Sequence, residues 1–81
     1  MREKVKLKAN VLKEFLARRN LTQNGFALRV GTTSGHLSQI LSGQRIPRPG
    51  TRERILNEVQ KLQRFRKEEE YQFDDLFSLG R

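Results

Sequence analysis

The sequence predicts an all-α domain of five short helices, on three observations. Apolar residues recur at three- and four-residue spacing in successive short blocks. Residues that favour helix N-caps (Asn10, Thr22, Thr33 and Thr51) head four of those blocks. Between the blocks, Gly31, Ser42-Gly43, Pro47 and Pro49 interrupt the period. A chain of 81 residues without internal repeats fits a single small domain, near the lower end of what one apolar core stabilises.

Residues 1–9 read as a basic N-terminal arm. Lys4, Lys6 and Lys8 alternate with Val5 and Leu7, a pattern that suits a short strand or a mobile arm. The arm is the expectation, because no other segment reads as a partner strand. Helix 1 starts at the N-cap Asn10 and turns Val11, Leu12, Phe15 and Leu16 inward. Arg18 and Arg19 lie towards its C-terminal end, where cations suit the helix dipole, and Asn20 serves as a left-handed stop. Thr22 caps a short second helix through Val30 with Phe26, Ala27 and Val30 inward. Gly31-Thr32-Thr33 forms a tight turn, Gly31 taking a positive φ and Thr33 capping a third helix, Ser34 to Leu41, that buries Leu37, Ile40 and Leu41. Gln44 to Gly50 reads as a loop. Thr51 then caps a fourth helix on Ile55, Leu56, Val59 and Leu62, with Phe65 a further candidate. RKEEE at 66–70 reads as solvated, and Phe73, Leu76, Phe77 and Leu79 as a last short amphipathic helix. The chain thus divides into an arm (1–9), a helical domain (10–67) and an acidic, aromatic C-terminal segment (68–81).

The net charge of +8 is unevenly distributed. Residues 1–67 hold sixteen Lys and Arg against four acids, or +12, whereas residues 68–81 carry −4. A field of that size on a small domain points to a polyanion, most often nucleic acid. From Asn20 to Gln44 the only charged residue is Arg29. The bases lie before it (Arg2, Lys4, Lys6, Lys8, Lys13, Arg18, Arg19) and after it (Arg45, Arg48, Arg52, Arg54). A neutral centre with positive flanks is not a random surface distribution.

Several function classes are excluded as expectations. With no cysteine there is no disulfide, thiolate metal site or thiol nucleophile, and the single histidine, His36, has no second metal ligand nearby. No nucleophile–base pair, metal cluster or phosphate loop is present, so neither enzymatic activity nor a cofactor is expected. No run approaches the roughly 18–20 apolar residues of a membrane span, and no signal peptide or membrane partner is expected.

The constellation that remains is a pair of short helices joined by a Gly-containing turn, QNGFALRVGTTSGHLSQILSG from Gln23. Ala27 follows Gln23 by four residues and Gly31 follows Ala27 by four; Leu37 and Ile40 come six and nine after Gly31. A small residue at 27 lets the two helices cross closely, Gly31 permits the sharp turn, and Leu37 and Ile40 fix the second helix on the core.

With LTQ at 21–23, TTSGHLSQILSG, RIPRPGTRERIL at 45–56 and FDDLF at 73–77, residues Leu12 to Leu79 resemble the lambda-repressor-like, Xre-type helix-turn-helix family. The resemblance implies that residues 10–67 are a DNA-binding domain whose third helix lies in the major groove. By family position, Thr33, Ser34, Gly35, Ser38, Gln39 and Ser42 are the base-contacting candidates, with Gln39 foremost because its amide pairs bidentately with adenine. The phosphate-contacting candidates are Gln23 at a helix N-terminus, then Gln44, Arg45, Arg48 and Arg52, with Lys4, Lys6 and Lys8 wrapping the duplex.

The implied function is that of a sequence-specific regulator of transcription, repressor-like, of bacterial or phage type, cytoplasmic and associated with the nucleoid. The alternatives are an antitoxin or recombination accessory factor that also binds DNA, and a protein-interaction module that keeps the fold. Members commonly bind as dimers on half-sites about 34–36 Å apart, so a second copy is an expected partner. Phe73, Leu76, Phe77 and Leu79 are the candidate surface for it or for another protein.

Two departures from the family pattern carry expectations. Many relatives pair an arginine on helix 1 with a glutamate near the end of helix 3. Leu16 and Leu41 stand there instead, and the two are expected to touch in the core, because a buried ion pair exchanges for an apolar contact without loss only when both partners change. The long, charged interval between Val59 and Phe73 predicts a fourth helix reaching Lys67 or beyond.

Overall fold

A computed structural model describes residues 4–80. Residues 1–3 of the expected arm and Arg81 of the acidic segment lie outside the described residues. Among the described residues there are five helices and a pair of short strands: β1 (Lys4–Leu7), α1 (Ala9–Arg18), α2 (Gln23–Val30), α3 (Ser34–Leu41), α4 (Pro49–Phe65), α5 (Phe73–Leu76) and β2 (Phe77–Gly80). The class is all-α, as the sequence predicts.

The central helices begin and end where local chemistry directs. Thr22 Oγ1 accepts from Gly25 N–H (2.9 Å) and Thr33 Oγ1 from His36 N–H (3.1 Å), so both threonines cap as expected. Gly31 takes φ 83° and Thr32 N–H reaches back to the Ala27 carbonyl at 2.9 Å. The same six-to-one closure ends three other helices. Leu21 N–H donates to Leu16 O, Gln44 N–H to Gln39 O and Glu68 N–H to Gln63 O. Asn20 (φ 55°), Gly43 and Lys67 (φ 58°) occupy the left-handed position in those three turns.

The core is one cluster built from every helix. Leu12, Phe15 and Leu16 of α1 meet Phe26, Ala27 and Val30 of α2, Leu37 and Leu41 of α3, Ile55 and Val59 of α4, and Leu76 and Phe77 of the C-terminal segment. Leu16 and Leu41 are 5% and 7% exposed and belong to this one cluster, so neither apolar replacement is left in solvent.

Several expectations are corrected. The N-terminal residues from Lys4 to Leu7 form a strand antiparallel to β2, in register Lys4↔Gly80, Val5↔Leu79, Lys6↔Ser78 and Leu7↔Phe77. Val5 and Leu7 pack against the core, and Lys8 N–H donates to Leu76 O at 2.6 Å. The partner strand is the C-terminal half of what reads as one amphipathic helix: FSLG leaves α5 in extended conformation at Phe77 (φ −128°). Helix α1 begins at Ala9, with Lys8 rather than Asn10 as its N-cap residue. Helix α4 begins at Pro49, two residues before Thr51, because proline is at home at a helix N1 position where no N–H is needed.

A further correction concerns the end of α4, which stops at Phe65 and does not reach Lys67. The chain reverses at Lys67 and is held by two glutamines on α4. Gln63 is 3% exposed, and its Oε1 accepts from Tyr71 N–H, while Gln60 Nε2 donates to Tyr71 O, each at 2.7 Å. Arg19 closes the same joint. Its side chain is 7% exposed, pairs with Glu68 and stacks on the Phe15 ring at 3.8 Å. Burial pushes its pKa below the ordinary arginine value, and neighbouring Arg66 adds to the effect. Arg19 therefore holds the tail and is withdrawn from the basic surface. Phe65, an inward candidate by periodicity, is 89% exposed, since α4 ends there and no element covers it.

Candidate nucleic-acid interface

Helices α2 and α3 are joined by Gly31-Thr32-Thr33, and Ala27 of α2 is fully buried in the core that both helices share. Leu37, Ile40 and Leu41 face the core. At about 100° per residue, Gly35, Ser38, Gln39 and Ser42 fall on the opposite face of α3. Gly35, Ser38 and Ser42 are exposed, as is the cap Thr33, while Ser34, His36 and Gln39 are half-buried. Nothing lies within 4 Å of the position a Cβ would take on Gly35. The outward face of α3 is therefore uncharged, small and dominated by one amide.

The loop after α3 is tied to that helix. The Gln39 carbonyl accepts from Ser42 Oγ (3.1 Å), Gln44 N–H (2.9 Å) and Arg45 N–H (3.1 Å). This triple closure anchors Arg45 against the C-terminal turn of α3 and leaves its side chain exposed. It also engages the Ser42 hydroxyl as donor, so only its acceptor lone pairs remain for a base edge. Pro47 is buried and pins the loop, with Gln44, Arg45 and Arg48 projecting around it. Arg48 is the N-cap residue of α4 but makes no side-chain cap bond, and Arg52 follows one turn later, half-buried. Gln23 opens α2 directly after its cap, beside the unsatisfied N–H groups of a helix N-terminus.

The structure thus joins α3 to Gln44 and Arg45 through hydrogen bonds, with Arg48 and Arg52 following on the same chain segment. It does not join Lys4, Lys6 and Lys8 to them. Lys4 and Lys6 are on β1, whose partner is β2, and Lys8 Nζ donates to the Asp74 carbonyl at 2.7 Å. Arg54 is a cation the site residues above leave out: its guanidinium lies 3.6 Å from where a Cβ would stand on Gly31, over the turn itself. Its place among the bases after Arg29 is the only sequence signal for it. Leu76 and Phe77 are fully buried, so of the expected protein-partner surface only Phe73 and Leu79 face solvent.

Two short helices at a Gly-initiated three-residue turn, with a polar outward face on the second and cations on the loop behind it, define a helix-turn-helix domain of the DNA-binding kind. The helix-turn-helix family model matches residues 12–58, more than half of the chain, and the protein belongs to that family in its Xre or lambda-repressor-like form. No curated protein and no solved structure matches the chain. No helix among the described residues is long and apolar enough to cross a membrane.

Proposed function

We propose that the protein is a sequence-specific double-stranded DNA-binding regulator of transcription, repressor-like, that lays α3 in the major groove and acts on the nucleoid. The observation that carries this reading is the division of labour around α3. Its outward face holds no charge, and the cations begin with Arg45, on the loop bonded to the Gln39 carbonyl.

Phosphate contacts set position without reading sequence, and uncharged groups on the helix read base edges. Gln39 pairs with an adenine through N6 and N7, a bidentate contact that discriminates by about 1–3 kcal/mol. Thr33, Ser34 and Ser38 contribute single hydrogen bonds or methyl contacts, and Gly35 allows close approach. Gln23, Gln44, Arg45, Arg48 and Arg52 hold the phosphates. Lys4 and Lys6 reach the duplex only as long side chains on a fixed strand. A second reading, an antitoxin or recombination accessory factor that binds DNA together with a protein, is favoured by the exposure of Phe65 and Leu28.

The test is selection of binding sites from random duplexes, repeated with two variants. Gln39→Ala is expected to lose preference at one base position, and Arg45→Ala to weaken all sites alike. A uniform loss with Gln39→Ala would remove it from the base-reading face. Selection that returns no motif with the wild-type protein would overturn the reading.

A further inference from the structure

The free end of α4 carries a feature that DNA binding leaves unused. Phe65 is 89% exposed and, with Leu62, lines an open groove of about 440 Å³ completed by Arg29 of α2 and Lys61 and Arg64 of α4. An adjoining hollow of about 170 Å³ shares Leu62 and Phe65 and adds Leu21 and Arg66. Leu28, next to Arg29 on α2, is 72% exposed. Leu21, Leu62 and Phe65 thus form one continuous apolar floor across the two hollows, and a contiguous exposed apolar patch marks a contact surface.

The charges around the ring state what kind of contact. Glu58 answers Arg29 and Glu70 answers Arg64, whereas Lys61 and Arg66 enter no ion pair among the described residues. The rim therefore keeps a net positive charge around an apolar floor. A two-fold contact between copies would set this positive rim against the same positive rim, which disfavours a symmetric dimer here. At about 1.5 Å per residue, Phe65 lies roughly 25 Å along α4 from Arg48, so the groove is open while Arg48 and the α3 loop hold a phosphate backbone.

We infer that the groove around Phe65 is a docking site for an acidic protein segment, one that inserts a large apolar side chain beside Phe65 and Leu62 and places carboxylates on Lys61 and Arg66. The site is independent of the DNA reading, since it shares no residue with it.

A displayed library of random dodecapeptides panned on the full-length protein tests this inference. The expected consensus is a large apolar residue flanked by Asp or Glu. A labelled peptide of that consensus is expected to lose at least about tenfold in affinity with Phe65→Ser and with Lys61→Glu, while both variants keep the wild-type melting temperature and duplex affinity. Peptides without acidic flanks, or indifferent to both substitutions, would overturn it. A concentration-dependent dimer in sedimentation equilibrium that Phe65→Ser dissolves would assign the groove to a second copy instead. Duplex binding lost in Phe65→Ser at unchanged melting temperature would assign it to nucleic acid.

Discussion

Gly35 separates what a residue contributes to the fold from what it contributes to a contact. It sits at the second position of α3 with no side chain and nothing within 4 Å of its missing Cβ, so the fold does not require glycine there. Alanine is the better helix former by up to about 1 kcal/mol, and somewhat less in the first turn. Gly35→Ala is therefore expected to raise the melting temperature slightly and to weaken duplex binding, because the added methyl stands between the helix backbone and the base edges. A rise in both stability and affinity would mean that the backbone does not come close to DNA at this position. The charge pair at Arg64 and Glu70 illustrates the opposite case. The Arg64 hydrogen bond lowers the Glu70 pKa, so the small stability it adds is present above the ordinary carboxylate pKa and lost as pH falls through the lower folded value.

At the scale of elements, the same left-handed closure ends α1 to α4, but with residues of unequal suitability. Gly31 and Gly43 adopt a positive φ without penalty, whereas Lys67 at φ 58° pays the cost of a Cβ in that conformation. Lys67→Gly is expected to stabilise the protein by about 0.5–1 kcal/mol, and Gly31→Ala to destabilise it by about 1 kcal/mol, both readable in denaturant midpoints. The Arg54 guanidinium is at ordinary contact distance from the site of the new methyl at Gly31, so that cost is conformational rather than steric. These ends also show what was legible in the sequence. Thr22, Gly31 and Thr33 act on neighbours within five residues, and their roles follow from local pattern alone. The reversal after Phe65 does not, because it depends on Gln60 and Gln63 meeting Tyr71 and on Arg19 meeting Glu68. Polar side chains bonding to a distant backbone leave no periodic signal. Pro49 is ambiguous in sequence for a different reason: proline stops a helix internally but opens one at its first turn.

For the whole molecule, the two chain ends form one structure. Lys4 pairs with Gly80 across nearly the full length of the sequence, and a strand of four residues has no detectable partner until the chain has folded. Val5 and Leu7 pack on the core through that pairing. Deleting residues 1–7 is expected to remove about 2–3 kcal/mol of apolar burial and to lower the melting temperature by on the order of 10 °C. A mobile arm, by contrast, would come off at no thermal cost. The helix-turn-helix geometry is legible in the sequence because α2, the turn and α3 carry their pattern on consecutive turns. The strand that fixes Lys4 and Lys6 is not legible locally, because its partner stands at the far end of the sequence.

The central claim is that the uncharged face of α3, flanked by Arg45 and Arg48, engages duplex DNA. It is tested most directly by titrating the protein against a mixed-sequence duplex at a series of salt concentrations. The predicted result is a log–log slope of about −0.9 per neutralised phosphate, reduced in magnitude by about 1 for Arg45→Ala. Binding that is absent, or that does not change with salt, would contradict it.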